Sequence, residues 1–298
     1  MNRQTPTPAP TLSANATSTS ANQGPILVIG STGKTGRRVV ERLEALGLPV
    51  RQGSRSASPA FDWQDPATWD AALDGVEAVY VTFYPDLAVP GAPAAIEAFT
   101  QLARRKQVAR IVLLSGRGEE EAQRCEAIVQ NSGIEWTIVR AGWFNQNFSE
   151  GPFYDLVMSG TVALPAGNIK EPFIDADDIA DVAVAALTQP GHAGEVYEVT
   201  GPRLMTLAQA VSTIAESAGI EVNYVQITPE AFEAGLIEQG VPADYVGLLK
   251  YLFNEVLDGR NSYLANGVQR ALGRPPRDFA DYAKNAASNG TWSEAVPA

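Results

Sequence analysis

The sequence contains very little cysteine or histidine. Among its 298 residues there is one cysteine, Cys125, and one histidine, His192. A single cysteine cannot form a disulfide within the chain, so we predict an intracellular, cytoplasmic location. The same scarcity excludes the Cys/His-rich sites that bind structural zinc, and we predict no metal cofactor.

Basic residues are also in the minority. The chain holds 22 lysines and arginines against 34 aspartates and glutamates, a formal net charge of −12. This balance argues against a nucleic-acid or membrane-surface binding protein. No stretch of about 18 apolar residues occurs, so no membrane span is predicted. Residues 1–23 are rich in Thr, Ser, Ala and Pro and lack large apolar side chains, which predicts a disordered tail.

From residue 24 to about 150, short apolar runs alternate regularly with amphipathic stretches. Strands separated by helices of about 10–15 residues are typical of right-handed βαβ units and a parallel sheet. We therefore predict an α/β fold, a Rossmann-type parallel sheet flanked by helices, over residues 24–150. The predicted strands lie at 26–29, 48–51, 61–63, 78–81, 110–115 and 136–139.

The alternation loosens beyond residue 150. Residues 151–298 are predicted to form a smaller lobe on the substrate side, interwoven with the sheet. Its predicted strands lie at 161–164, 172–174 and 195–199, and its predicted helices at 177–187, 207–217, 229–236, 243–257 and 277–287. Asp175, Asp177 and Asp178 stand at the start of the first of these helices and fit N-capping better than a paired-carboxylate site.

A glycine turn of the form Gly30-x-x-Gly33-x-x-Gly36 follows the first predicted strand and opens the first predicted helix. Such glycines allow a tight turn and a close approach of the backbone to a pyrophosphate, which the helix N-terminus then binds. The turn is not a P-loop, because Val28 stands where that motif needs its first glycine. The predicted dinucleotide-binding residues of this turn are Gly30, Ser31, Thr32, Gly33, Lys34, Thr35 and Gly36.

The end of the second strand indicates which dinucleotide is bound. NAD-selective sites usually carry a carboxylate about 20 residues past the glycines, whereas this sequence has Ser54 and Arg55 there. An arginine can bind a 2′-phosphate by charge-assisted hydrogen bonds, so NADP is predicted over NAD. The alternative is that Arg55 is simply a solvated cation on a loop. Asp62 and Trp63 are predicted to lie along the adenine, with a helix-capping role for Asp62 as the alternative.

The segment Thr82-Phe83-Tyr84 follows a predicted strand at its carboxyl end, where ligands bind in open α/β sheets. Thr82 and Phe83 are predicted to line the cofactor. Tyr84 is a candidate catalytic acid or substrate-stacking group, with a packing aromatic on a loop as the alternative.

A second segment, residues 143–148, follows the last clear central strand and combines aromatic with amide side chains. This combination suits a nicotinamide and a flat organic substrate. Trp143, Asn145 and Asn147 are predicted substrate contacts, whereas Phe144 and Phe148 are predicted to belong to the core.

Eight segments extend these patterns along the chain: residues 30–38, 54–56, 61–63, 113–118, 143–150, 165–167, 173–180 and 273–277. In them the chain resembles the NmrA-like branch of the atypical short-chain dehydrogenases, nearest to the agroclavine dehydrogenase-type reductases and their bacterial relatives. The resemblance implies NADPH-dependent reduction of a small organic substrate, such as an imine, an iminium ion, a quinone or another conjugated compound. It also implies that some members are redox-sensing regulators without turnover.

Many short-chain dehydrogenases use a Tyr-x-x-x-Lys pair, and this sequence has none. Ser115 lies where their serine stands, and Glu126 falls on the next predicted helix. Both are candidate catalytic residues, and Ser115 is also a predicted cofactor contact; a solvated helix position is the preferred interpretation of Glu126. Without a tyrosine to donate a proton, an iminium acceptor is favoured, because hydride neutralises it directly.

The predicted function is therefore an NADPH-dependent reductase of an imine, iminium or conjugated acceptor. An NADP(H)-sensing binding protein and a non-redox isomerase or cyclase are the alternatives, and the oligomeric state is left open.

Among the remaining residues, Glu119, Glu120 and Glu121 are predicted to form a charged first helical turn. His192 is predicted on a surface turn, and Cys125 in a helix interior rather than as a nucleophile, because no histidine base is near it in sequence.

Overall fold

The structure, a computed structural model, describes residues 24–293. The predicted disordered tail, residues 1–23, lies outside the described residues. The strands are β1 Ile26–Ile29, β2 Val50–Gly53, β3 Ala78–Val81, β4 Arg110–Gly116, β5 Glu135–Ala141, β6 Thr161–Leu164, β7 Lys170–Glu171, β8 Glu195–Val199, β9 Met205–Thr206 and β10 Asn223–Gln226. The helices are α1 Lys34–Ala45, α2 Trp69–Ala72, α3 Ala92–Arg105, α4 Glu120–Gln130, α5 Asn147–Glu150, α6 Tyr154–Met158, α7 Ala176–Thr188, α8 Leu207–Ala218, α9 Pro229–Glu238, α10 Ala243–Tyr251, α11 Gly267–Leu272 and α12 Phe279–Ser288.

Six strands form one parallel sheet in the order β2-β1-β3-β4-β5-β8. Ile26 of β1 pairs with Val50 of β2 on one side and with Ala78 of β3 on the other. β1 and β3 are fully buried apolar runs, as expected where helices cover both faces of a parallel sheet. The strand order reverses between β1 and β3, and the crevice at such a reversal is the usual ligand site of an open α/β sheet. The predicted Rossmann-type fold is confirmed.

Two hydrophobic cores lie on opposite faces of this sheet. One packs α2, α3 and α4 against the strands, through side chains such as Leu73, Phe99 and Val129. The other packs α1 and α7 through side chains such as Leu43 and Ile179. Burying one such side chain contributes about 1.5–3 kcal/mol. The two cores therefore fix the strand ends that carry the loops of the crevice.

The later part of the chain has a core of its own, rich in aromatic side chains such as Phe153, Phe253 and Trp292. There β10 pairs with β6 in a small parallel sheet, and β9 pairs with β7 in an antiparallel one. The chain also returns to the main sheet, where β8 pairs with β5 and α7 packs against α1. The domain boundary at residue 150 stays a prediction.

Three predicted strands differ from those observed. The second begins at Val50 rather than at residue 48, because Pro49 has no N–H and contributes only its carbonyl, which accepts from the first amide of β1 at 2.9 Å. Residues 61–63 form no strand: Asp62 makes one isolated bridge, and its backbone groups bond to side chains of the following turn. Residues 172–174 are not a strand either, because Pro172 also lacks an N–H and the pairing with β9 is made by Lys170–Glu171.

The predicted helices are present, with differences at their ends. The helix predicted over 243–257 is α-helical as far as Tyr251 and continues as a π-helical turn, Leu252–Val256. The helix predicted to begin at residue 277 begins at Phe279, because Asp278 caps it by accepting from the amide of Ala280 at 2.8 Å.

The aspartates at the start of α7 have different roles. Asp175 is the N-cap, as predicted, and its Oδ1 accepts from the amide of Asp177 at 2.8 Å. N-capping was the wrong interpretation of Asp178, which is fully buried and pairs with Arg277. The carboxylate of Asp177 accepts from Arg42 of α1 at 2.7 Å. These ion pairs connect α7 to α1 and to the segment before α12.

Candidate dinucleotide and substrate site

The glycine turn joins β1 to α1 at the point where the strand order reverses. Gly30 has φ +72°, and a Cβ at this position would lie 2.2 Å from Oγ1 of Thr82 in the loop after β3. A Cβ on Gly36 would lie 2.0 Å from the carbonyl oxygen of Gly30. Both positions therefore require glycine. Gly33 is the N-cap of α1, and the first turn of α1 carries no acidic residue, which leaves its free N–H groups and positive potential available to an anion.

A cleft of about 540 Å³ opens from this turn along the crevice. Ser31 and Gly36 do not line it, and Ser115 lines a smaller cavity of about 120 Å³ beside it. A backbone cradle with no room for a Cβ, next to a cleft of this size, fits a dinucleotide. The predicted cofactor residues that the structure brings together along the cleft are Gly30, Thr32, Gly33, Lys34, Thr35, Ser54, Arg55, Asp62, Trp63, Thr82 and Phe83.

Ser54 and Arg55 follow β2 directly and line one end of the cleft. The Ser54 hydroxyl lies 3.2 Å from the hydroxyl of Ser56, and Cζ of the exposed Arg55 lies 6.0 Å from the ring centroid of Tyr84. A guanidinium and two hydroxyls can bind a phosphate, whereas a ribose 2′-hydroxyl calls for a carboxylate. The chemistry of this end matches a 2′-phosphate.

Trp63 and Asp62 form part of the cleft wall beyond this end. The indole N–H of Trp63 donates to the carbonyl oxygen of Thr82 at 2.8 Å, and its ring packs 4.8 Å from that of Phe83. Oδ1 of Asp62 accepts from the amide of Gln64 at 3.0 Å, so this residue shapes its own turn as well as lining the cleft. An adenine contact by either residue stays a prediction.

Ser115 and Glu126 are close together, but Glu126 is not the solvated helix residue predicted from the sequence. Its side chain is 3% exposed, its Oε1 accepts from the Ser115 hydroxyl at 2.6 Å, and Arg140 of β5 donates to the same oxygen at 2.9 Å. The expected exposure is wrong because β5 places Arg140 beside β4, where it neutralises the buried carboxylate. Since its proton is directed to Glu126, Ser115 is not free to donate to a ligand.

Two carboxyl groups of the site were missed from the sequence. Asp86 in the loop after β3 and Glu119 before α4 line the cavities next to the main cleft. The first helical turn holds Glu120 and Glu121, whereas Glu119 is its N-cap and only 7% exposed, so the prediction of one charged turn is wrong for Glu119. Burial, followed by the charge of Asp86, raises the pKa of Glu119 well above its ordinary value. The signal available in the sequence was the glycine pair flanking Arg117, which makes room at the end of β4.

The aromatic and amide segment after β5 is divided between the site and the core. Trp143, Phe144 and Asn147 line a cavity of about 250 Å³ that adjoins the cleft, and Phe144 also lines the cleft itself, contrary to the prediction that it is a core residue. Phe148 is fully buried, as predicted. Asn145 does not line the cleft: it is fully buried and its side-chain amide lies 3.5 Å from Asp175. It is held there because its backbone amide pairs with the segment before α7.

Tyr84 and Lys34 stand on either side of the cleft. Tyr84 is 57% exposed, and its ring centroid lies 6.5 Å from that of Tyr245 on α10. Lys34 begins α1 and lines both the cleft and the adjoining cavity; burial lowers the pKa of its ammonium group. A catalytic or stacking role for Tyr84 stays a prediction.

The lone histidine and the lone cysteine are both structural. His192 is 7% exposed rather than on the surface as predicted, because its Nδ1 lies 2.8 Å from the hydroxyl of Tyr197 and its carbonyl accepts from Thr137. Cys125 is fully buried on α4, as predicted, and burial followed by the charge of Glu121 raises the pKa of its thiol to about 12.

Fold and site together define a dinucleotide-binding α/β protein. The chain matches the NAD(P)H-binding family over residues 30–190 and the NmrA-like family over residues 121–275. It belongs to the NmrA-like family, and it is an NAD(P)H-dependent oxidoreductase.

The chain is 32% identical to an NAD(P)H azoreductase of Xenophilus azovorans, covering 87% of this chain and 96% of the relative. It is 30% identical to agroclavine dehydrogenase of Claviceps fusiformis, covering 86% of this chain and 95% of that protein. Among solved structures, the NADPH complex of an NADPH-dependent quinone oxidoreductase from Escherichia coli has a TM-score of 0.68 at 23% identity, covering 87% of this chain and 99% of the other. At this identity the last comparison shows a shared fold.

Two negative observations apply to residues 24–293. None of the helices described there has the length and apolar character needed to cross a bilayer. The same residues contain no group of three or more His, Cys, Asp or Glu side chains placed to hold a metal ion.

Proposed function

We propose that this protein is an NADPH-dependent reductase that transfers hydride to a small organic acceptor: an imine, an iminium ion or a conjugated quinone-like or enal-like compound. The cleft carries this proposal, because it combines a glycine cradle, the Ser54 and Arg55 end and an aromatic wall in one continuous groove. When bound, NADPH supplies the hydride from its nicotinamide ring.

The residues of the chain bind and orient the reactants. The N-terminus of α1 binds the pyrophosphate through free N–H groups, and Arg55 pairs with the 2′-phosphate. Trp143 and Phe144 line the cavity that adjoins the groove with aromatic surface, which suits a flat acceptor, while the exposed Tyr84 stands on the groove wall near Arg55. An azoreductase and an agroclavine dehydrogenase among the relatives are compatible with nitrogen-containing, conjugated acceptors.

The cofactor preference is tested by Arg55→Ala. Removing hydrogen bonds to a charged phosphate costs about 1.5–3 kcal/mol, which corresponds to roughly 10- to 100-fold weaker NADPH binding. NADH lacks the 2′-phosphate, so its affinity is expected to stay unchanged. Arg105→Ala, at an exposed position on α3, is the matched control. Equal losses for both cofactors in a fluorescence titration would contradict the 2′-phosphate assignment.

The reaction class is tested by following NADPH oxidation with cyclic imines, N-alkylated iminium ions, quinones and enals. The proposed function expects turnover with at least one of these classes. Tight NADPH binding without turnover of any acceptor, together with capture of a stable protein partner, would favour the regulatory alternative. Conversion of a compound without net NADPH oxidation would favour the isomerase or cyclase alternative.

A further inference from the structure

The proposed reduction of a neutral acceptor needs a proton as well as a hydride, and the usual tyrosine donor is missing. Ser115 is excluded as the donor because its hydroxyl already donates to Glu126 at 2.6 Å. Two other carboxyl groups, those of Asp86 and Glu119, stand beside the cleft. Asp86 follows β3 and Glu119 follows β4, and these strands are neighbours in the sheet, so the two loops meet at its carboxyl edge.

Glu119 is buried without a partner for its charge. The residue is 7% exposed, and its Oε2 meets no hydrogen-bond donor among residues 24–293. The carboxyl group is folded back over Gly116, where a Cβ would lie 2.1 Å from Oε2. It lines both the cavity of about 120 Å³ and the cavity of about 250 Å³, and Asp86 lines the same two. The side chain therefore faces space that a ligand can enter.

The carboxyl groups of Asp86 and Glu119 line the same two cavities, and burial raises the pKa of both. Two neighbouring carboxylates oppose each other's ionisation, which favours a single proton held by the pair. Burial raises the pKa of Asp86, and the amide of Ala88, which donates to its Oδ1 at 2.9 Å, opposes that rise. Because the pKa of Glu119 is raised well above its ordinary value, Glu119 is the favoured carrier of the proton. The other titratable or charged groups that face the pair are Lys34, Arg117, Glu126, Tyr245 and Tyr251.

The nearest cations do not cancel the charge of this pair. Arg117 is committed elsewhere: its Nε donates to Glu198 at 2.8 Å, and its other nitrogens donate to backbone carbonyls. Lys34 lies near Glu150, whose charge acts on its ammonium group. The pair therefore lies between the cleft and the cavity of about 250 Å³ that Trp143 lines, and neither Arg117 nor Lys34 neutralises its charge.

We propose that Asp86 and Glu119 share one proton at the wall of the cleft, and that Glu119 donates it to the acceptor during reduction. This inference rests on the proposed function. The acceptor carbon gains a hydride while its double-bonded nitrogen, oxygen or conjugated carbon gains the proton of Glu119. The O–H bond of Glu119 breaks, the new N–H, O–H or C–H bond forms, the acceptor is reduced and NADPH is oxidised to NADP⁺. Water then returns a proton to the pair.

The shared proton is tested without cofactor or substrate. Infrared difference spectra of the protein at neutral pH, wild type minus Glu119→Gln, are expected to show the C=O stretching band of a protonated carboxyl group, which shifts in D₂O. Glu120→Gln, at the exposed next position, is the matched control and is expected to leave the band in place. In Asp86→Asn the band is expected to disappear at a lower pH than in wild type, because the neighbouring negative charge is gone. Absence of the band from wild type would overturn the shared proton.

The donor role is tested by the choice of acceptor. In Glu119→Gln we expect kcat for a quinone or an enal to fall about 100- to 10,000-fold, the usual contribution of a general acid. The kcat for an N-alkylated iminium ion, which needs no proton, and the NADPH Kd are expected to stay within about twofold of wild type. Equal loss on both acceptor classes, or no loss on either, would overturn the donor role. If wild type binds NADPH but reduces no acceptor, the proposed function fails and the donor role with it, while the infrared band still reports the paired carboxyl groups.

Discussion

Glu171 of β7 offers a sharp test of how burial controls ionisation in this fold. The residue is 2% exposed, and neither carboxylate oxygen meets a hydrogen-bond donor among residues 24–293. Burial raises the pKa of Glu171 from 4.5 to about 7, the charge of Arg117 opposes the rise, and Asp258 adds to it. Each pKa unit corresponds to about 1.4 kcal/mol, so ionising Glu171 in the folded protein costs about 3 kcal/mol more than in the unfolded chain.

The sign follows from proton binding. Between about pH 4.5 and 7 the folded state holds the Glu171 proton while the unfolded state has released it, so stability falls as pH rises through this window. In Glu171→Gln this contribution is absent. We expect the difference in unfolding free energy, variant minus wild type, to grow by most of these 3 kcal/mol between about pH 5 and pH 8.

The assay is urea unfolding of wild type and Glu171→Gln at several pH values across that window, with the m-value checked for constancy. Subtracting the two curves removes the contributions of all other titrating groups. Glu97→Gln, an exposed position on α3, is the matched control for the loss of one carboxyl group. A flat difference for Glu171→Gln would refute the reasoning, because it would mean that Glu171 titrates as it does in the unfolded chain.

Two further predictions concern the cradle and an ion pair. Gly36→Ala places a Cβ 2.0 Å from the carbonyl oxygen of Gly30, so NADPH affinity is expected to fall at least about tenfold in a fluorescence titration. Gly235→Ala in α9, where a Cβ meets nothing within 4 Å, is its control, and loss of affinity in both variants would argue against a local effect. Asp178→Ala removes the buried carboxylate that accepts from the backbone amide and the guanidinium of Arg277, whereas the 2.9 Å pair of Arg277 with Asp181 remains, so the unfolding free energy is expected to fall by about 1–3 kcal/mol in urea. An unchanged denaturation midpoint would show that this pair contributes no net stability.

Much of the fold could be predicted from the sequence wherever a strand is a continuous apolar run. The bounds of β1 and β3 match those expected, because both are buried on two faces and end at a glycine or threonine that begins a loop. The hydrophobic pattern predicted strands wrongly where backbone pairing, rather than hydrophobicity, decides whether a segment forms a strand. Residues 61–63 look like a strand, yet no neighbouring strand pairs with them, and Trp63 is fixed by its indole N–H on Thr82 instead.

The parts of the site that are formed by backbone could be predicted from the sequence. The parts that depend on side chains from different strands could not. The glycine turn has a local signature, since Gly30 adopts a positive φ and Gly36 approaches the carbonyl oxygen of Gly30, six residues earlier. Glu126 has none, because the arginine that makes its burial tolerable lies on the adjacent strand. Asn145 was expected in the pocket from its residue type and its position after a central strand, and its backbone pairing places it in the core instead.

The buried carboxyl groups next to this sheet fall into two groups: those that form an ion pair with an arginine and those that do not. Glu126 with Arg140 and Asp178 with Arg277 are ion pairs between elements, so these residues act on stability. Within residues 24–293 no arginine pairs with Glu119, and a buried carboxyl group without a cation lowers its free energy by keeping a proton. A retained proton beside a cleft is available for transfer, whereas a neutralised carboxylate is not. Glu171 also keeps its proton, but Glu119 lines the two cavities beside the cleft, and this position supports its proposed role as the donor.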